Sequence, residues 1–373
     1  MRILFLAVHA PDRAPGQRYR FEQYLPYLRE RGVQCDHSWV LDGAGAKVLY
    51  NRGNFPAKAL LGVRTLLKRA IEIPSLRRYD VVFVQREAAF IGGPFVERAA
   101  KLLGAKLVYD FDDAIWMRDV SQFNRRFAWL KNLNKVPKII AMSDLVLAGN
   151  QYLADYARRH NPRVTVVPTT IDTDKYVLAS APRPEGPICI GWTGSFSTIR
   201  NLETALPALR RVRAKYGDRV RFKVIGDPSF KDEALGVVGL PWRSETEVAD
   251  LRDVDIGIMP LPDEEWTRGK CGLKGLQYMA LAIPTVMSPY GVNPEIITAG
   301  QNGFLPGSDD DWVETLSRLI EDPALRTRIG AAGRQRALEA YSVRAWRETY
   351  YDLLTGLGGA RTAVARDARA ASL

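Results

Sequence analysis

Short, almost wholly apolar runs recur along this chain, and each is followed by a segment with apolar residues at helical spacing. No other feature constrains the fold as strongly. The runs "RILFLAV" (2–8), "DVVFVQ" (80–85), "AKLVYDF" (105–111), "LVLAG" (145–149) and "VTVVP" (164–168) read as strands. A strand without a polar face must be covered on both sides, which calls for a mostly parallel sheet between helical layers. In "RYRFEQYLPYLRERG" (18–32), Phe21, Leu25 and Leu28 predict a helix that Gly32 stops.

The alternation breaks at "ASAPRPEGP" (179–187), where three prolines and a glycine read as a linker. It then restarts with strand "ICIGWTG" (188–194), helix 201–217, strand "RFKVIGD" (221–227), helix 244–254, strand "DIGIMPL" (255–261), a helix after residue 270, and strand "PTVMS" (284–288). A chain of 373 residues exceeds the usual size of one core. The expected fold class is therefore α/β, with two Rossmann-like doubly wound parallel-sheet domains facing a central cleft. They cover 1–180 and 188–345, with a C-terminal helix over 346–357 packing back on the first domain and a mobile tail over 358–373. Ligands of such sheets bind beyond the carboxyl ends of the strands.

The three cysteines, Cys35, Cys189 and Cys271, lie far apart and outline neither a metal site nor a disulfide framework, which fits a reducing cytoplasm. The apolar start of the chain is too short to span a membrane. A net charge of +11 favours anionic partners without choosing among them.

Two stretches point to an anion in the second half. "GWTGSFSTIRN" (191–201) leaves a strand and opens a helix, so Gly194, Ser195 and nearby amides could cradle a phosphate, with Arg200 adding charge. The other reading is a plain turn. "GKCGLKGLQYMA" (269–280) places Lys270 and Lys274 at a helix entry, where the macrodipole disfavours cations unless an anion is bound. Gln277 could bond a hydroxyl, and "GVNPEII" (291–297) adds amides, Asn293 and Glu295.

From residue 188 to about 345 the chain resembles the retaining, nucleotide-sugar-dependent glycosyltransferases of family 4, which have the GT-B architecture. "IGWTGSFSTIRNLETAL", "VIGD" with Gly226, "DIGIMPL", "KGLQYMALAIPTVMSPYGVNPEIITAGQNGFL" and "YS" (341–342) carry the likeness. "LVYDFDDAIW", "SDLVLAGNQYL" and "VTVVPTTIDTDKY" extend it loosely into the first half. The resemblance implies transfer of a sugar from a nucleoside diphosphate sugar to a hydroxyl acceptor, such as a lipid-linked saccharide or polysaccharide precursor, with configuration retained. It implies no metal and no further cofactor. Arg200, Lys274 and Lys270 would stabilise the leaving diphosphate, and Gly194, Ser195, Gly226, Gln277, Asn293 and Glu295 would bind the donor. The arginine and lysine of the family's phosphate pair fall on Ser195 and Arg200, so half of it is kept, and the acids of its EX7E motif fall on Gly269 and Gln277. Lys274 matches a lysine found in one branch of the family, and Gln85 stands where a histidine is common.

His9, Arg18, Arg86, Asp112 and Asp113 are the expected acceptor contacts. "DFDD" (110–113) has the spacing of a metal-bound diphosphate grip, but the resemblance favours acceptor contacts or pairing of Asp112 and Asp113 with Arg18 or Arg20. Capping and salt bridging form the alternative. Segment 51–78 carries seven basic residues and one acid, with an apolar stripe of Leu60, Val63, Leu67 and Ile71. Either that stripe faces the core, or this segment and the basic stretch 124–138 lie on the anionic inner face of a membrane. Other readings are a non-catalytic nucleotide- or glycan-binding protein, another GT-B enzyme such as a sugar epimerase or an inverting transferase, and a nucleic-acid binder. No nucleic-acid motif or aromatic stacking platform supports the last.

Overall fold

The structure, a computed structural model, describes residues 1–51, 53–117, 134–178 and 186–358. Most of the expected linker, residues 118–133 with much of the second basic stretch, and nearly all of the expected tail lie outside the described residues. The chain divides into two compact units, Met1–Pro168 with Arg347–Leu373, and Thr169–Trp346.

In the first unit β1 (Arg2–Leu6), β2 (Gln34–Ser38), β3 (Val81–Gln85), β4 (Lys106–Phe111), β5 (Leu145–Ala148) and β6 (Val164–Val166) form one sheet in the order β2-β1-β3-β4-β5-β6. All neighbours run parallel. Five of these strands are the apolar runs of the sequence. The sixth, β2, is "QCDHS", an edge strand with no buried face and hence no apolar signature. The register sets Phe5 beside Phe83, and Phe21 stacks on Phe5 with centroids 5.2 Å apart.

The helix expected over 18–32 is instead three short pieces, Pro15–Arg18, a 3-10 turn Glu22–Tyr24, and Leu25–Glu30. The chain leaves helical geometry at Phe21 (φ −139°), and Pro26 opens a new helix. That break turns Arg20 inward. Its guanidinium is buried, bonds both carboxylate oxygens of Asp110 through Nε at 3.1 and 3.2 Å, and reaches the Val167 carbonyl. Burial pushes the Asp110 carboxyl up, and Arg20 pulls it back.

The long basic helix runs from Phe55 to Glu72, and the residues it buries are Gly62, Thr65 and Arg69. Arg69 donates to the carbonyls of Ala88 (2.7 Å) and Ala7 (2.9 Å) and pairs with Glu72 at 2.7 Å. The apolar stripe therefore does not face the core. Leu60, Val63, Leu67 and Ile71 are 70, 53, 58 and 78% exposed.

In the second unit β7 (Ile188–Thr193), β8 (Val220–Ile225), β11 (Ile256–Met259) and β12 (Thr285–Met287) form a parallel sheet in the order β12-β11-β7-β8. A small antiparallel pair, β9 (Lys231–Asp232) with β10 (Val237–Val238), follows β8. Ile190, Ile256, Ile258 and Val286 pack with helices Leu206–Tyr216 and Asp309–Glu321. Met259 and Met287 pack in a separate cluster with Leu276, Met279, Ala337 and Tyr341. Alternate strand residues thus serve opposite helical layers. The helix expected over 201–217 is interrupted before Leu206, where Pro207 begins a new first turn.

Residues 169–178 belong to this second unit, ahead of the expected boundary at 180, because they are bonded into it. The Ile171 amide donates to Tyr341 O (2.8 Å), the Val343 amide to Ile171 O (3.0 Å), and Arg334 to Tyr176 O (3.1 Å). Helix Val343–Thr355 ends in the first unit, where Tyr350 stacks on Tyr24 at 4.2 Å.

Truncating Arg20 leaves Asp110 as an uncompensated buried acid. Arg20→Met is expected to cost about 3–5 kcal/mol in urea unfolding, and adding Asp110→Asn should return part of it. A double variant no more stable than Arg20→Met would show that the arginine acts through packing alone.

Candidate functional site

The second unit gathers its site at the carboxyl end of its sheet. After Thr193 the chain turns through Gly194 and Ser195 into a 3-10 turn, Phe196–Thr198, and helix Ile199–Glu203. Gly226, after β8, has φ +121°, and a Cβ there would lie 1.8 Å from the Gly194 carbonyl oxygen. Only glycine lets these two strand ends meet. The amide cradle expected here is already occupied from within. Thr193 N–H donates to Tyr278 Oη (3.0 Å), Gly194 N–H to Ile225 O (2.9 Å), and Ser195 N–H to Thr198 Oγ1 (3.0 Å). In the 291–296 turn the amides of Asn293, Glu295 and Ile296 likewise donate to carbonyls of Tyr290 and Val292.

Helix Leu273–Ala280 is different. It starts after Gly272 (φ +71°), with no side-chain cap and no acid in its first turn. The first amides of an α-helix have no partner within it. Two lysines stand at this end. Lys274, the second helical residue, holds Nζ 5.6 Å from the centre of the Trp192 ring, and Lys270 holds Nζ 5.0 Å from that of Trp266. A Cβ on Gly194 would lie 2.2 Å from Trp192 Cη2. Trp192 therefore touches both motifs, with the glycine turn at its edge and Lys274 over its face. Arg200 is exposed on the helix after that turn, and Ser195, also exposed, places Oγ 2.9 Å from Ser197 Oγ.

Three expected donor contacts have other surroundings. Gln277 is buried, and its Nε2 donates to Tyr176 Oη (2.8 Å) and Glu247 Oε1 (3.0 Å), which also accepts from Trp242 Nε1 at 3.0 Å. The amide nitrogen is thus held inside the unit. Asn293 is fully buried and donates to Ser288 O (2.8 Å), while its Oδ1 has no partner. Glu295 is exposed, and it is its main-chain carbonyl that accepts from Arg336 (3.0 Å) and Tyr341 (3.4 Å).

In the first unit His9, Arg86, Asp112 and Asp113 follow the carboxyl ends of the neighbouring strands β1, β3 and β4. Asp112 and Asp113, expected to contact an acceptor or to pair with Arg18 or Arg20, take Arg86 as a partner. Arg86 Nε meets Asp112 at 2.7 Å and Nη2 meets Asp113 at 3.5 Å, whereas Arg18 pairs with Asp12 at 2.7 Å. Arg86 holds φ +58°, and Tyr109 Oη donates to its carbonyl at 2.7 Å. Gln85 Nε2 lies 3.5 Å from Asp112. His9 Nε2 lies 2.9 Å from Tyr50 Oη, and its main chain exchanges two 2.8 Å bonds with the Gln17 amide. Burial, then the charge of Arg86, lowers the His9 pKa, with Glu87 opposing. Among the described residues no group of three or more His, Cys, Asp or Glu side chains is set to hold a metal ion.

Sequence reasoning did not single out Trp192, Tyr278, Glu247 or Tyr50. Trp192 and Tyr278 sit inside motifs it did quote, whereas Tyr50 reaches His9 from 41 positions away.

Residues 187–322 match the family described as glycosyl transferases group 1. The sulfoquinovosyl transferase SQD2 of Arabidopsis thaliana is 27% identical over 369 residues, covering 88% of this chain and 68% of the plant protein. The alpha-maltose-1-phosphate synthase of Mycobacterium tuberculosis is 35% identical over 235 residues, covering 53% of this chain and 60% of that protein. Among solved structures, Anabaena HepE in complex with UDP and glucose superposes with a TM-score of 0.69 at 18% identity, covering 95% of this chain and all of that one. Sucrose-phosphate synthase from Thermosynechococcus elongatus gives a TM-score of 0.67 at 14% identity, over 96% of this chain and all of that one.

Replacing Gln277 by glutamate would set a second carboxylate beside Glu247, and one of the two must then hold a proton. That raised folded-state pKa makes the contribution to stability fully present at low pH and lost as pH rises. Gln277→Glu should therefore melt well below the wild type at pH 8 and close to it at pH 5. An equal deficit at both would mean that the two side chains do not interact.

Residues 187–322 are thus a group 1 glycosyltransferase domain, and the chain that carries it has the GT-B fold.

Proposed function

We propose that this protein transfers a sugar from a nucleoside diphosphate sugar to a hydroxyl of a saccharide acceptor, with retention of configuration. The observation that carries this reading is the start of helix Leu273–Ala280, uncapped and acid-free, with Lys270 and Lys274 at its entry. As the glycosidic bond breaks, negative charge grows on the departing diphosphate. A helix N-terminus and two ammonium groups stabilise that charge more in the transition state than in the ground state. Arg200 is assigned the same task from the neighbouring helix. HepE, which shares the fold, was solved with UDP and glucose, a nucleoside diphosphate and a sugar of the class proposed here.

The acceptor is assigned to the first unit, where Arg86, Asp112, Asp113 and His9 offer donors and acceptors suited to sugar hydroxyls. The acceptor class favoured is a lipid-linked saccharide or polysaccharide precursor. Retention rests on the family resemblance of the sequence, and the reading gives no role to a metal.

A second reading is a nucleotide- or glycan-binding protein without turnover. It is favoured by the two positions that would carry acids in the family, which hold Gly269 and the internally bonded Gln277. A thermal-shift panel of nucleoside diphosphates and nucleotide sugars, followed by donor-hydrolysis and transfer assays, separates the two. With the stabilising donor, Lys274→Ala and Arg200→Ala should each lower kcat about 100- to 1000-fold while keeping the melting temperature. Wild-type rates in both variants would reject the assigned roles, and binding without turnover would favour the second reading.

A further inference from the structure

The helix Phe55–Glu72 has its chemistry turned inside out for a helix of a globular core. Its buried residues are Gly62, Thr65 and Arg69, while Phe55, Leu60, Val63, Leu67 and Ile71 are 52 to 78% exposed. Isolated exposed apolar residues are ordinary, but a row of them at helical spacing marks an interaction surface. The inward face explains how the helix holds this orientation. A Cβ on Gly62 would lie 2.7 Å from Ile91 Cδ1, and Arg69 anchors the helix through the carbonyls of Ala7 and Ala88.

We infer that this outer face seats on an anionic lipid surface, with the helix lying in the plane of the interface. Charge selects this occupant. Arg64 and Lys68 are exposed beside the stripe, and Lys47, Arg77 and Arg78 are exposed on the segments flanking the helix. The helix's single acid, Glu72, is bonded to Arg69 and to Ser38. A second copy of the chain in an isologous pairing would set these cations against their own equivalents, with Glu72, 4.0 Å from Lys68 Nζ, the helix's one acid to offset them. Anionic head groups offset them, while the acyl boundary accepts the stripe. Among the described residues no helix is long and apolar enough to cross a membrane, so the contact is peripheral at this helix.

The test is flotation of the full chain with phosphatidylcholine vesicles, with and without phosphatidylglycerol, at low and high salt. Light scattering of the protein alone is run in parallel. The wild type should float with the anionic vesicles and bind neutral ones at least about tenfold less. Leu60→Ser/Leu67→Ser/Ile71→Ser should lose about tenfold or more of that binding with an unchanged melting temperature, since all three side chains are exposed. Arg64→Gln/Arg77→Gln should weaken it and flatten its salt dependence. A wild type that stays soluble beside anionic vesicles overturns the inference, as does a serine variant that floats as well as the wild type. A wild-type dimer that the serine variant converts to monomer would assign the face to a second copy instead.

Discussion

The hydrogen bond from the Thr193 amide to the Tyr278 hydroxyl fixes the geometry on which the candidate site of the second unit depends. It ties the last residue of β7 to the middle of helix Leu273–Ala280, and the same hydroxyl reaches the Ile258 carbonyl of β11 at 3.3 Å. The Tyr278 ring fits only because Gly257 has no side chain, since a Cβ there would lie 2.3 Å from the ring. On the same helix, Gly275 allows close approach to Met287 of β12, where a Cβ would sit 2.5 Å from the sulfur. Gly257 on the strand and Gly275 on the helix are what let the helix come down onto the sheet. Lys274 is carried over Trp192 as a result.

The sequence showed the parts of the fold that bury apolar residues at a regular period. Every strand with a continuous apolar run was legible, and β2 was not, because an edge strand with half-exposed faces needs no such run. Helices were legible in existence but not in continuity. The periodicity of 18–32 runs through Phe21, yet the backbone breaks there so that Arg20 can reach Asp110. At the site, residue identity indicated which stretches would meet, and Trp192 joins the glycine turn to the lysine helix. Hydrogen-bond occupancy was not legible. Nothing in "GWTGS" shows that three successive amides already have partners, and nothing in "KGLQY" shows that Gln277 is drawn inward by Tyr176 and Glu247.

Buried arginines do comparable work at two places in the first unit. From fully buried positions, Arg20 satisfies the Val167 carbonyl and the Asp110 carboxylate, and Arg69 satisfies the Ala7 and Ala88 carbonyls and the Glu72 carboxylate. A guanidinium is suited to this task because it has five fixed donors and is weakly hydrated. Anchoring a helix through Arg69 frees its apolar side chains from core packing. A hydrophobic-moment argument alone would have pointed the stripe of Leu60 and Leu67 inward, because the period of a helix does not tell which face the protein needs.

The two candidate clusters differ in charge balance, and the difference bears on what each suits. In the first unit Arg86 is matched by Asp112 and Asp113, and burial with the Arg86 charge holds the His9 pKa down. Such a cluster sets one guanidinium against two carboxylates beside an imidazole, a mix of donors and acceptors suited to a hydroxyl-rich partner. In the second unit the helix start has two lysines, no acid in the first turn, and a neutral amide at Gln277. Glu247 lies behind that amide, buried and bonded to it and to Trp242. With no acid in the first turn, the positive end of the helix dipole meets no carboxylate there. A helix start so composed suits an anionic partner better than a neutral one.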